Sequence, residues 1–303
     1  MKEETFLKST LAKQLDQFAK LFRTIPNQPT KTQFETMRLQ SNRFYYLLTF
    51  LENCFPEHVY AEANSMFRDL SERLDETRKE EAVLVLLGRF SGSHKSSDPK
   101  KSKTKSSKKL LRKTSEQELD GIIREFYNAH DELIGRTVKH LKRISDLKIA
   151  KALLHDFNFV DHLSFSVWMK TLDKKREQLF NQIVKIIRTS QKEDLMDLMI
   201  QAEEFGYFLE MMIQAGYEKG KRLLQIIRSL SDRLVEVDDE ENFRQRLENL
   251  EKERAKDPNR ISDIQRLRMI RIRLGIFQAN TRKALHAHLP VSLQVLKRRL
   301  VWS

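Results

Sequence analysis

The sequence predicts an all-α protein built from two tandem, duplicated four-helix bundles, and three observations carry that prediction. First, the 303 residues include only 8 Gly and 6 Pro, while Leu, Lys, Arg, Glu and Gln dominate, the usage of a helical chain. Second, apolar residues recur at helical spacing between capping and breaking residues, and no stretch alternates with strand period. Third, the chain repeats itself. FRDLSERLDETRKEE at 67–81 returns as IRSLSDRLVEVDDEE at 227–241, so Arg68, Leu70, Ser71, Arg73, Leu74, Glu76, Glu80 and Glu81 recur 160 residues later. Upstream, Gln40, Phe44, Tyr46 and Leu48 return as Gln201, Phe205, Tyr207 and Leu209, and QFAKLFRT at 17–24 answers QIVKIIRT at 182–189. Three segments in one order imply duplication of a helical unit. The expected domains are 1–160 and 161–303.

Element by element, residues 3–24 carry Phe6, Leu7, Leu11, Leu15, Phe18, Leu21 and Phe22 at helical spacing, and the Pro26/Pro29 pair ends this helix. Thr32-x-x-Glu35 reads as a capping box for a helix to about Cys54. Pro56 opens a third helix over roughly 57–89. Residues 91–109 carry seven lysines against one aspartate, and 91–113 is expected to be a disordered linker, since it has too little apolar surface to offset ordering. Ser115-x-x-Glu118 is a second capping box, for a helix to about 144, and a short segment spans 146–157. Helices follow near 162–189, 193–214 and 217–256. Asp257-Pro258-Asn259 breaks the chain, Ser262-x-x-Gln265 caps a long helix to about His288, and Pro290 is expected to start a short terminal helix.

The formal net charge is +13, but about half of it sits in the 91–113 stretch, so the folded bundles are only mildly basic. Met1–Thr10 is charged, with no continuous apolar run, and no window approaches the roughly 18 apolar residues of a membrane span. No signal peptide and no membrane partner are expected, and a cytoplasmic location is. Cys54 is the single cysteine, which excludes an internal disulfide and a cysteine-based metal site.

The second helix of each repeat carries a resemblance. LMDLMIQAEEFGYFLE at 195–210 lies without gaps on the pattern L-H-x-L-R-I-x-x-K-K-L-R-Y-x-L-E, and FETMRLQSNRFYYLL at 34–48 lies on V-H-x-x-R-V-x-x-R-R-L-R-x-x-L. The third helices resemble L-x-x-x-L-G-x-x-R/N-D-x-E/D-V. These are patterns of the CHAD family, the conserved histidine α-helical domain. The resemblance implies two four-helix repeats about a pseudo-twofold axis, and binding of inorganic polyphosphate through basic residues on the helices.

The functional positions of that pattern are largely replaced. In the first repeat Glu35 stands for the histidine, Asn42 and Tyr45 for arginines, and only Arg38 and Arg43 are kept. In the second, Met196, Met199, Glu203, Glu204 and Gly206 stand where His, Arg, the basic pair and the last Arg belong; Tyr207 and Glu210 are retained. The replaced surface carries two positive and three negative charges, a sum of −1. Further cations line up elsewhere. Arg136, Lys139, His140 and Arg143 form one helical stripe, and Arg266 with Arg273 and Arg268 with Arg271 form two more. Arginine donates bidentate bonds suited to phosphate.

The candidate anion-binding residues are therefore Arg38, Arg43, Arg136, Lys139 and Arg143, with inorganic polyphosphate or a similar polyanion as the partner, bound weakly. The alternative is a structural or protein-interaction module that has lost polyphosphate. No cofactor, metal or enzyme activity is expected. Gly216-Tyr-Glu-Lys-Gly220-Lys221 is one residue short of a phosphate loop and follows no strand. His155-Asp156 has no matching ligand set, and His286 and His288 point to different sides of a helix. Nucleic acid is also unexpected, because the aromatic residues sit on apolar faces rather than among basic ones.

Overall fold

The computed structural model describes residues 3–24, 29–90, 107–144, 153, 155, 165–189, 192–214 and 218–297. Among the described residues there are eight α-helices and no strand. They are α1 (Glu3–Thr24), α2 (Lys31–Phe50), α3 (Glu57–Phe90), α4 (Ser107–Ile144), α5 (Phe165–Thr189), α6 (Lys192–Gln214), α7 (Lys221–Arg254) and α8 (Ile261–Leu296). Single 3₁₀ turns at Glu52–Cys54, Glu218–Gly220 and Pro258–Arg260 connect some of them. Among the described residues no helix is long and apolar enough to cross a membrane.

Packing divides the chain into two units. The first comprises 1–76, 136–235 and 283–303, and the second 77–135 and 236–282. Packing and repeat thus cut the chain in different places.

In the first unit α1 packs on α2, α5 on α6, and α2 meets α6. Phe18, Phe44 and Phe67 form one aromatic cluster, with the Phe44 and Phe67 ring centroids 4.1 Å apart. Phe50, Trp168 and Phe208 form another, with 4.1 Å between Phe50 and Trp168. Repeat-paired residues are buried alike: Phe44 and Phe205 at 1 % exposure, Leu70 and Leu230 at 0 %. The turn between α5 and α6 is clamped at Asp194, which accepts from Lys185 Nζ at 2.5 Å and from Thr189 Oγ1 at 3.0 Å. The Lys185 bond is the main reason that the Asp194 carboxyl lies below its usual range. The second unit is held by Val83, Leu87, Phe90, Ile122, Phe126, Phe243, Leu247, Leu267, Ile270 and Leu274.

Several helix ends differ from expectation: α2 stops at Phe50 rather than near Cys54, and α8 starts at Ile261, which puts the expected cap Ser262 inside it; three further differences have a visible cause. The α2 capping box is Thr30 with Gln33, not Thr32 with Glu35. Thr30 has extended backbone directly after Pro29, and Glu35 is engaged by Arg38 instead. Helix α4 begins at Ser107, so 107–113 of the expected linker are helical. Lys108, Lys109, Leu110, Leu111 and Arg112 are good helix formers. Residues 91–106 of that linker, and all of the 146–157 segment except 153 and 155, lie outside the described residues. Pro290 lies inside α8 rather than at the start of a new helix. Buried Leu285, Leu289, Ser292 and Leu296 hold the helix through it, and Arg176 Nη1 donates to the Leu296 carbonyl. Local proline chemistry is overridden by a continuous apolar face.

Candidate anion-binding surface

The α2–α6 seam of the first unit carries the positions that the sequence pattern singled out. Helix α2 buries Phe34, Met37, Phe44, Leu47 and Leu48, which fixes where its polar side chains emerge. Arg38 is itself buried, at 7 % exposure. It forks onto Glu35 one turn before, with Nε to Oε2 at 3.1 Å and Nη2 to Oε1 at 2.9 Å. Arg43 Nη2 donates to Glu210 Oε2 at 2.9 Å, and Arg228 Nη2 takes the other oxygen of Glu210 at 2.6 Å. One carboxylate thus holds an arginine on each oxygen.

The acids that replace the basic pair on α6 are held as well. Lys175 Nζ of α5 donates to Glu204 Oε1 at 2.6 Å and sits 5.4 Å from the centre of the Phe208 ring. Tyr46 OH donates to Glu203 Oε2 at 3.4 Å. Burial first, and then the charges of Glu203 and Glu204, push the Tyr46 phenol far above its ordinary range, so it stays a donor. Its repeat counterpart Tyr207 lies 6.4 Å away, ring centre to ring centre. Burial raises Tyr207 likewise, and among the described residues its hydroxyl has no hydrogen-bond partner. Gln40 Oε1 and Gln201 Oε1, another repeat pair, are also buried without a partner among the described residues.

The α4 stripe is different. Arg136, Lys139 and Arg143 are all exposed. Between them His140 Nε2 lies 2.9 Å from Asp69 Oδ2 of α3, and Arg73 Nε lies 3.2 Å from the other carboxylate oxygen, Oδ1. Burial chiefly, then the positive charges of Arg73 and Arg143, hold His140 below its ordinary range despite Asp69. Its neutral form is thereby favoured, and the stripe's charge then comes mainly from its arginines and lysine.

The five sequence-named cations therefore fall into two sets. Arg136, Lys139 and Arg143 share one stripe facing solvent. Arg38 and Arg43 lie on α2, each bonded to a carboxylate. Sequence reasoning missed Lys175 and Arg228. The repeat gave a signal for Arg228, the counterpart of Arg68, but nothing local pointed to Lys175. The arginine stripes at Arg266/Arg273 and Arg268/Arg271 lie on α8; Arg268 and Arg271 contact Glu251 of α7 at 2.6 and 3.1 Å. Among the described residues no three His, Cys, Asp or Glu side chains are grouped to hold a metal ion.

Compared with known families, the chain matches the model of the CHAD domain over residues 11–248. No curated protein and no solved structure matches it.

Proposed function

The chain belongs to the CHAD family, a family associated with polyphosphate, and from that premise we propose that it is a non-catalytic module that binds inorganic polyphosphate or a similar polyanion weakly. In this reading binding is carried mainly by Arg136, Lys139 and Arg143 of α4, with Arg38 and Arg43 as minor contributors. One observation carries it: the α4 cations are exposed to solvent, whereas Arg38 and Arg43 are already bonded to Glu35 and Glu210. A polyanion must displace an existing carboxylate to reach the latter, but not the former. Solvent-exposed ionic contacts contribute about 0.2–1 kcal/mol each, so three of them give weak binding that salt screens over about 8 Å at physiological ionic strength.

The test is a titration with long-chain polyphosphate at low and moderate salt. The triple variant Arg136→Ala, Lys139→Ala, Arg143→Ala should lose most of the affinity, and the pair Arg38→Ala, Arg43→Ala little of it. Equal loss in both variants sinks the assignment to α4.

A second reading, a structural or protein-interaction module without polyphosphate, has its own observation. Glu35, Glu203, Glu204 and Glu210 at the α2–α6 seam each have a partner within the chain: Arg38, Tyr46, Lys175, and Arg43 with Arg228. Absence of polyphosphate binding even at low salt decides for this reading.

A further inference from the structure

Helix α8 is apolar on two faces. Within the second unit Leu267, Ile270 and Leu274 are buried against Val83, Leu87, Phe243 and Leu247. On another face Ile261 is 60 % exposed, Met269 53 %, Ile272 59 % and Ile276 65 %. At 100° per residue these four fall in one strip with Gln265 and Ala279. Single exposed isoleucines are ordinary, but Met269, Ile272, Ile276 and Ala279 follow one another without a polar residue on the strip, and an apolar run of that kind marks an interaction surface. The strip is also low in relief. A Cβ added at Gly275, on its edge, would meet nothing within 4 Å, and Ala279 follows one turn later, so a second helix can approach closely.

The strip is bordered by positive charge. Residues 261–282 hold five arginines and one aspartate. Arg268, Arg271 and Arg282 lie along one border and Arg266 and Arg273 along the other. Arg268 is held by its Nε on Glu251, and Arg271 by its Nη1 on Glu248 and Glu251. Each fork is thereby oriented in advance, with further N–H groups for a second carboxylate. The strip also lies beyond residue 248, where the family match ends, so the match does not account for it.

We propose that the Ile261–Ala279 face of α8 is a docking site for an amphipathic helix of another protein, one whose apolar stripe is bordered by Asp and Glu. Packing is helix on helix, with isoleucine and methionine at the centre and Arg–carboxylate pairs at the rim. A second copy of this chain fits poorly, because two such faces set arginine borders against each other. A lipid surface also fits poorly, because the strip has no Trp, Tyr or Phe to anchor in an interface, and Glu248 and Glu251 line one border. The site shares no residue with the anion surface of α4.

The test uses the full chain. Cys54 is buried, so Asn280→Cys beside the strip is the one accessible thiol for an environment-sensitive fluorophore. The probes are two synthetic helical peptides with the same Leu/Ile stripe, one bordered by Glu and the other by Lys, and anionic phosphatidylglycerol vesicles. The Glu-bordered peptide should give a saturable blue shift, roughly tenfold tighter than the Lys-bordered one. Ile272→Ser with Ile276→Ser should abolish it, and Arg271→Gln with Arg273→Gln should erase the preference for Glu; the serine pair should leave the thermal midpoint unchanged, since both positions face solvent, and the glutamine pair should lower it slightly, since it gives up the contacts of Arg271 with Glu248 and Glu251 and of Arg273 with the Phe90 carbonyl. The proposal is overturned if the two peptides bind equally, if neither binds, if the serine pair binds as wild type, if only vesicles shift the fluorophore, or if protein concentration alone shifts it.

Discussion

Glu240 sets up a pH dependence of stability whose direction is fixed by its surroundings. Its side chain is 1 % exposed and accepts from Thr281 Oγ1 at 2.7 Å. Burial raises its carboxyl from the usual 4.5 to about 7; Glu236, one turn away, pushes the same way, while the Thr281 bond and the charges of Arg282 and Arg89 oppose it. Between those two pH values the folded chain keeps a proton that the unfolded chain has released. This group's contribution is therefore most favourable at or below pH 4.5, declines as pH rises through the window, and is lowest above about 7. At 1.36 kcal/mol per pH unit the interval is worth at most roughly 3 kcal/mol, and relaxation of the surroundings around the charged form reduces it to about 1–2 kcal/mol.

Glu240→Gln keeps an acceptor for Thr281 and removes the charge. Urea unfolding followed by circular dichroism, across a pH series, compares the two proteins. Near pH 4.5 their stabilities should coincide, and above pH 7 the Gln variant should be more stable by about 1–2 kcal/mol. Parallel curves over the whole series would refute the reasoning, because they would mean that Glu240 ionises alike in folded and unfolded chains. The repeat counterpart Glu80, 8 % exposed, is neutralised by Arg246 instead. Two positions paired by the sequence pattern thus have different electrostatic surroundings.

Other expectations follow from particular side chains. Pro290 is exposed inside α8, so Pro290→Ala should restore the bond to the His286 carbonyl and raise the thermal midpoint, by an amount equivalent to about 1–3 kcal/mol; a lowered midpoint counts against a strained proline. Polyphosphate affinity should rise as pH falls below the ordinary histidine range of about 6.5, because His140, held below that range, then gains a proton and adds a cation to the stripe; an increment unchanged in His140→Ala refutes that assignment. Restoring lysine at Glu203 and Glu204 should raise polyphosphate affinity and lower stability together.

How much was legible in the sequence depends on whether a feature is local. Helix α3 was expected over 57–89 and runs Glu57–Phe90, because Pro56 and the apolar spacing are read from adjacent residues. The start of α2 was misread, since Thr32/Glu35 and Thr30/Gln33 both satisfy the capping pattern and only the extended backbone after Pro29 selects the second. At Pro290 a local rule failed against burial that the neighbouring residues do not reveal. The cations were found, but not their state. Arg43 and Glu210 are 167 residues apart in sequence, as are, at 29 residues, Lys175 and Glu204. Which cation is answered by a carboxylate is a tertiary fact, so Arg43 and Arg136 look alike in the sequence while, among the described residues, only Arg43 is engaged.

Replacing Glu203 and Glu204 by lysine changes anion binding and stability at one place. An anion-binding face holds cations whose counter-charge is the ligand, and without ligand such cations repel one another. At the α2–α6 seam that repulsion is absent: Glu204 answers Lys175, Glu203 accepts from Tyr46, and Glu210 answers both Arg43 and Arg228. Glu204→Lys removes the partner of Lys175, whose side chain is 22 % exposed, and sets like charge against it. A charge-assisted hydrogen bond contributes about 1.5–3 kcal/mol, and the partial exposure lowers this to about 1–2 kcal/mol. Glu203→Lys takes the acceptor from Tyr46 OH, which is 8 % exposed as a residue and then has a buried donor to satisfy. The double variant should therefore unfold at lower urea concentration than wild type while binding polyphosphate more tightly at low salt, and added polyphosphate should restore part of the lost stability by mass action. Tighter binding without loss of stability would show that the acids do not stabilise the seam. Loss of stability with unchanged binding, and no rescue by polyphosphate, would show that the seam no longer faces an anion at all, and that its charges serve only to hold α2, α5 and α6 together.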